Sequence, residues 1–166
     1  FTNDIKNDSR KFWKKNLSHI SNNFHHESIV DLVKKYKKGE FFFPSKIDIV
    51  TGGFPCQDFS VSGLRKGFKS NKSHKNDTST RSDKETRGNL YLWMKEVIQI
   101  VKPSIFIAEN VKGLTNMKLA FEKIKSDFSN TKPGYKLFTR ELFAPDYGIP
   151  QSRRRIFFIG ISRSFM

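Results

Sequence analysis

Apolar and polar positions divide the chain into short strands alternating with amphipathic helices. Phe1-Thr2-Asn3-Asp4-Ile5 reads as the end of a strand running into a turn. Phe12, Trp13 and Leu17, set among lysines around residues 9–16, predict a short helix with one buried stripe. A second helix is predicted after Ser28, a good N-cap with Asp31 three residues on. Ile29, Leu32, Val33 and Tyr36 form its apolar face, and Gly39 supplies the stop. Residues 47–51 are a β-branched run that ends at Gly52-Gly53, as expected of a buried parallel strand whose carboxyl end opens into a functional loop.

Residues 54–88 are rich in Gly, Ser and Lys and have little periodicity. A loop of that length within a compact domain is a lid, a binding loop or a disordered segment. Helical spacing resumes at Leu90, Trp93, Met94, Val97 and Val101, and Pro103 ends that helix. Residues 104–108 make another buried strand, whose carboxyl end delivers Glu109-Asn110-Val111 into a turn at Gly113. Met117, Phe121, Ile124 and Phe128 mark a further helix, closed by Pro133-Gly134. A final pair of strands, Tyr135–Phe143 and residues 156–161, flanks Asp146-Tyr147-Gly148-Ile149-Pro150 and the cluster Arg153-Arg154-Arg155. The alternation predicts an α/β fold with a doubly wound sheet, formed as one domain over residues 1–166.

Composition narrows the function classes. With 36% hydrophobic residues and 17 phenylalanines, the chain has the means to build a core. No apolar run is long enough to span a bilayer, and no charged-then-apolar leader opens the chain, so neither a membrane partner nor secretion is expected. Thirty-one Lys and Arg against 16 Asp and Glu leave a net charge of +15, which makes a polyanion such as nucleic acid the expected partner. The alternative is the residue usage of an AT-rich genome. One cysteine excludes an internal disulfide and argues against a structural zinc site, so no metal is expected and the compartment is read as reducing.

In a doubly wound sheet, ligands sit beyond the carboxyl ends of the parallel strands. Two such ends here carry Pro55-Cys56-Gln57 and Glu109-Asn110-Val111. A thiol emerging from a Gly-Gly-Phe-Pro turn into a basic loop is a natural nucleophile, because nearby cations favour the thiolate; the alternative is a buried, inert cysteine. Glu109 ends an apolar strand, where a carboxylate without partners is costly, and Asn110 beside it is expected to fix its geometry. None of His19, His25, His26 and His74 stands at a distinctive spacing from Cys56, which disfavours a Cys-His hydrolase.

The stretch Asp48-Ile-Val-Thr-Gly-Gly-Phe-Pro-Cys-Gln-Asp-Phe-Ser-Val-Ser-Gly63 resembles the Pro-Cys-Gln nucleophile motif of the DNA (cytosine-5) methyltransferases. Glu109-Asn110-Val111 and Gln151-Ser-Arg-Arg-Arg155 match two further family motifs in order. The resemblance extends to Arg87-Gly88-Asn89-Leu90-Tyr91, Asp146-Tyr147-Gly148 and the opening Asn3-Asp4. It implies a Rossmann-like, S-adenosylmethionine-dependent fold acting on double-stranded DNA in the bacterial cytoplasm, in a restriction-modification system or as an orphan enzyme. By that resemblance Cys56 attacks C6 of cytosine, Glu109 supplies or shares a proton at N3, and Arg153 and Arg155 orient the base, with Arg154 on the variable position. The target base must be flipped out of the stack to be reached. Ser62, Arg65 and Lys66 match positions near the DNA backbone, in a loop where residues 64–88 hold eight basic and three acidic side chains.

For S-adenosylmethionine, the resemblance assigns Asp4 to the ribose hydroxyls and Ile5 to the adenine face. Glu27 stands where an Asp usually meets the adenine amino group, with Ser28 following it, and Gly53, Pro55 and Leu90 match positions at the methionine end. A glycine-rich first motif precedes these residues in the family and a target-recognition region follows them, so this chain is expected to be the catalytic middle of a longer enzyme. Alternatives are a catalytically dead DNA-binding remnant and one half of a split enzyme completed by a second chain. The tRNA cytosine-5 branch shares the same motifs.

Overall fold

The computed structural model describes residues 1–54 and 90–165, which fall into two compact units, Phe1–Pro44 and Ser45–Met166. In the first, β1 (Thr2–Asn3) and β2 (Phe24–His25) pair in parallel, with Thr2 opposite Phe24 and Asn3 opposite His25. Helix α1 (Asn7–Asn16) follows β1. The expected buried stripe is absent: no residue of α1 is buried and Phe12 is 65% exposed, because the helix is lysine-rich, with the Trp13 ring resting 5.7 Å from that of Phe24.

Helix α2 (Ile29–Lys37) begins as the sequence predicts. The Ser28 hydroxyl accepts the Val30 N–H at 3.3 Å, satisfying one of the donors that a helix start leaves unpaired. Its buried face is Val30, Leu32 and Val33, and Gly39 terminates it at φ +76, a backbone conformation open to glycine without strain. A cluster of rings, Phe1, His25, Phe41 and Phe43, completes this unit, with Phe1 stacked on His25 at 4.7 Å.

The second unit is a four-stranded sheet of order β3-β4-β6-β5. Strand β3 (Ile49–Gly53) and β4 (Ile105–Val111) are parallel and joined through α3 (Tyr91–Val101), which ends as Lys102 turns into the left-handed region before Pro103. Helix α4 (Lys118–Ser129) connects β4 to β5 (Tyr135–Phe143). Strand β6 (Arg154–Ser162) returns between β4 and β5 and is antiparallel to both. The sheet is therefore mixed, with its parallel part at β3–β4 and the final pair of strands antiparallel. The β5–β6 connection contains a single 3₁₀ turn (Ala144–Tyr147) and no crossover helix, and so short a return can only produce an antiparallel neighbour.

Helices α3 and α4 cover one face of this sheet. Phe106 and Ala108 of β4, Ile156 and Phe158 of β6, Ile98 of α3 and Ile124 of α4 are buried together, with the Phe128 ring 5.3 Å from Phe106 and 5.8 Å from Phe158. Burial of each such phenylalanine stabilises the fold by about 1.5–3 kcal/mol. Gly160 belongs to the same layer because the Phe106 ring fills the space where a side chain would stand. Tyr135 donates its hydroxyl to the Pro103 carbonyl at 2.8 Å, and burial pushes that phenol up to about 12. Among the described residues, no helix is long and apolar enough to cross a membrane.

Candidate active site

Side chains alternate across a strand, so adjacent residues of β4 serve opposite faces. Phe106, Ala108 and Asn110 face the helices; Ile105, Ile107, Glu109 and Val111 face the other way. Strand β6 alternates in the same manner, which puts Arg155 on the face of Glu109 and Ile156 in the core. The pairing of Val111 with Arg155 and of Glu109 with Phe157 brings the arginine beside the carboxylate. Arg155 Nε lies 2.7 Å from Glu109 Oε1, with the two side chains about a quarter and a third exposed. The Arg155 guanidinium also donates from Nη1 to the Arg154 carbonyl at 2.8 Å, which limits its freedom to follow the carboxylate.

The other carboxylate oxygen of Glu109 lies over Gly53, the last residue of β3 and its register partner. A Cβ at Gly53 would stand 3.2 Å from Glu109 Oε2, so the absence of a side chain makes room for the carboxylate. Glu109 is thus paired and about a third exposed, at the carboxyl end of β4 and beside the end of β3 that leads toward Cys56. The partner that makes it affordable to the fold is an arginine 46 residues away in sequence, supplied by the antiparallel strand.

Asn110 does not orient Glu109. It is 1% exposed on the opposite face, where Nδ2 donates to the Phe54 carbonyl at 3.3 Å and Oδ1 accepts the Val111 N–H at 2.8 Å. Arg153 is exposed in the turn before β6, and among the described residues its guanidinium has no ion pair. Arg154 points away from the Glu109 pair: its guanidinium stacks 3.9 Å over the Phe143 ring and meets Glu141 at 3.2 Å, a carboxylate shared with Lys112. Hydrogen bonding from Lys112, ahead of that from Arg154, holds Glu141 below the usual carboxylate range.

Within the first unit, the residues after the two parallel strands come together. The Asn3 side-chain amide donates to the carbonyls of His25 at 3.0 Å and Glu27 at 2.6 Å, joining the carboxyl end of β1 to that of β2. Asp4 and Ile5 therefore leave the sheet at the same edge as Glu27 and Ser28. Asp4 accepts the Lys6 N–H at 2.8 Å and the Ser9 hydroxyl at 2.7 Å, so its side chain also shapes the turn into α1. Glu27 is hydrogen-bonded through Oε1 to Lys35 of α2, and Ile5 is 47% exposed. Ser28 is buried and spends its hydroxyl on the helix cap.

Leu90 is buried just before α3, and its carbonyl accepts the Trp93 N–H at 3.1 Å. Pro55, Cys56, Ser62, Arg65 and Lys66 lie outside the described residues. The Glu109–Arg155 contact had a signal in the sequence, since both residues belong to matched motifs. The part played by Asn110 had none, because alternation along β4 becomes readable only once the core face is known.

The fold class is that of the Rossmann-like methyltransferases. The chain is similar over 97% of its length to the Entamoeba histolytica methyltransferase EhMeth, at a TM-score of 0.63 and 21% identity, covering 44% of that chain. Over 96% of its length it is similar to the S. pombe Dnmt2 methyltransferase, at a TM-score of 0.59 and 20% identity, covering 40% of that chain. Residues 2–166 match the C-5 cytosine-specific DNA methylase family, and the chain belongs to that family. Among curated relatives, the type II methyltransferase M.HpaII of Haemophilus parainfluenzae is 33% identical over 129 residues, 74% of this chain and 31% of its own length. M.BspRI of Lysinibacillus sphaericus is 32% identical over 164 residues, 97% of this chain and 32% of its own. The chain spans about a third of the length of these relatives.

Proposed function

We propose that these residues form the catalytic centre of an S-adenosylmethionine-dependent DNA cytosine-5 methyltransferase, a cytoplasmic bacterial enzyme of a restriction-modification system. The observation that carries the reading is the Glu109–Arg155 pair at 2.7 Å, seated against Gly53 where the chain leaves β3 for Pro55-Cys56. A carboxyl group and a guanidinium on one face, at the carboxyl ends of parallel strands, suit the hydrogen-bonding edge of a pyrimidine.

Cytosine C5 is a weak nucleophile, and attack of the Cys56 thiolate on C6 raises the electron density at C5, so that C5 can take up a methyl group. Glu109 meets N3 and supplies or shares a proton, so that charge arising in the ring during attack is neutralised. Arg155 holds the Glu109 carboxyl in place, and Arg153, exposed and with no ion pair among the described residues, is available to the base carbonyl or the backbone phosphate. A base then removes the C5 proton and the cysteine is expelled. Ser62, Arg65 and Lys66 bind the DNA backbone around the flipped nucleotide.

S-adenosylmethionine, when bound, supplies the electrophilic methyl group. The donor set in the first unit fits it. Asp4 and Glu27 bring carboxylates to one sheet edge, each oxygen keeping a lone pair beyond its present partner, and the exposed Ile5 offers an apolar face to a purine. Gly53, Pro55 and Leu90 would line the methionine end.

The test is covalent trapping by the complete gene product, with DNA containing 5-fluorocytosine and S-adenosylmethionine, read by mass spectrometry. Fluorine blocks loss of the C5 proton, so a competent nucleophile stays on the DNA. An adduct at Cys56 that Cys56→Ala abolishes while DNA affinity stays within a few-fold is the expected result. Adduct formation only after a second chain carrying further family motifs is added would identify a split enzyme, and an adduct on tRNA alone would move the substrate to RNA. DNA binding with no adduct under any condition would refute catalysis and leave a DNA-binding remnant.

A further inference from the structure

Asn110 is a buried side chain amide with one partner distant in sequence, and that partner is the last described carbonyl before Pro55-Cys56. The β3–β4 ladder ends at the Gly53–Glu109 pair. One residue further, the Asn110 side chain supplies the next link, from Nδ2 to the Phe54 carbonyl at 3.3 Å. Its Oδ1 is held by the Val111 N–H at 2.8 Å, which sets the plane of the amide and aims the donor at Phe54.

Phe54 is anchored a second time through its ring. It is 7% exposed, with its centroid 6.1 Å from Tyr91 and 6.3 Å from each of Phe128 and Phe158. Core packing restrains the side chain, Asn110 restrains the carbonyl, and a following proline restricts the backbone of the residue before it to extended conformations. Together these define the direction in which the chain leaves β3, two residues before the thiol. A buried polar side chain is retained only when its bonds are made, and both ends of this amide are used.

We infer that Asn110 is a positioning residue for the nucleophile, tying the exit of β3 to β4, so that one strand presents the acid on one face and aligns the thiol-bearing segment from the other. The inference rests on the reading of Cys56 as the nucleophile. Asn110→Asp keeps the shape and the acceptor for Val111 but removes the donor to Phe54. Asn110→Ser removes the amide without burying a charge and serves if the aspartate variant does not fold.

The experiment measures the single-turnover rate of trapping on 5-fluorocytosine DNA in the complete gene product, together with the affinities for DNA and S-adenosylmethionine and the thermal midpoint. A misplacement near 1 Å at a reacting group costs roughly 10²-fold in rate, so trapping at saturation should slow by about 10- to 100-fold. Both affinities should stay within about two-fold, a separation that a general loss of structure would not produce. Trapping of a folded variant at the unsubstituted rate, or a parallel loss of both affinities, would overturn the positioning role. Failure of the unsubstituted protein to be trapped at all would overturn the nucleophile reading itself, and this inference with it.

Discussion

Gly53→Ala separates the demands of the site from those of the fold. The new Cβ would lie 3.2 Å from Glu109 Oε2, tighter than an ordinary contact, so the carboxylate must withdraw by a few tenths of an ångström. Glu109 is not free to do so, because Oε1 is 2.7 Å from Arg155 Nε and that guanidinium is itself bonded to the Arg154 carbonyl. Stretching or tilting a charge-assisted hydrogen bond by this amount forfeits about 0.5–1 kcal/mol. Applied to the group that must meet N3, it should lower methyl transfer by about two- to five-fold.

Stability should change little, because the weakened Glu109–Arg155 bond and the effect of alanine on the unfolded chain offset each other. Gly53 is not among the glycines at positive φ, so alanine adopts its conformation without strain, and reduced freedom of the unfolded chain contributes about 0.4–1 kcal/mol in its favour. Gly52→Ala is the control. Its Cβ would meet the Met94 sulfur at 3.2 Å, on a flexible thioether that can turn aside, and turnover should be unchanged. The assay is single-turnover methylation with saturating DNA and S-adenosylmethionine, alongside thermal unfolding. Equal turnover for Gly53→Ala and the unsubstituted protein would refute the reasoning. An equal loss in both glycine variants would place the effect in the chain exit, and a raised KM for S-adenosylmethionine at unchanged rate would make Gly53 a cofactor contact alone.

Arg155→Lys keeps the charge but loses the fixed guanidinium geometry that meets Glu109, so turnover should fall by about 10- to 100-fold with little change in unfolding midpoint; unchanged turnover would remove Arg155 from the site. Gly160→Ala places a Cβ 2.0 Å from Phe106 Cε1, a core clash costing about 3 kcal/mol or more in denaturant unfolding, which Phe106→Leu should partly relieve. Asp127→Asn should cost about 1 kcal/mol near neutral pH, since Asp127 accepts the Tyr91 hydroxyl at 2.7 Å and faces Lys95 and Lys123. Burial opposes ionisation of Asp127, but the Tyr91 bond and the two lysines outweigh it and hold its carboxyl below the ordinary 3.8. The folded state thus favours the ionised form. Its contribution is fully present above the unfolded value and lost as the pH falls through the native one, so the stability gap between the two proteins should close as the pH falls below the ordinary carboxylate range.

Helix α4 was legible because its apolar residues keep one spacing: Ile124 and Phe128 are buried as expected, with Met117 and Phe121 packed against them. The face of α3 was legible only in part. Its sequence is apolar on nearly every side, so periodicity found Leu90, which is buried, and Met94, which packs on the core, but favoured Trp93 and Val97 where burial fell on Tyr91 and Ile98. The carboxyl ends of β3 and β4 were readable as candidate site positions because each apolar run stops at residues that a buried strand would not choose. What those residues touch was beyond any local pattern.

By itself, the sequence determined the succession of strands and helices from α2 onward, the residues that end β3 and β4, and, through three ordered motifs, the family. These are carried by spacing and side-chain chemistry within short windows. The tertiary structure alone decided that β6 returns antiparallel between β4 and β5, and everything at the site depends on that placement. It brings Arg155 to Glu109 across a 46-residue separation and assigns Asn110 to the core side, where it can reach Phe54. The reason is that a strand's residues alternate between faces, and which face becomes the core is decided by the helices and strands that pack on it.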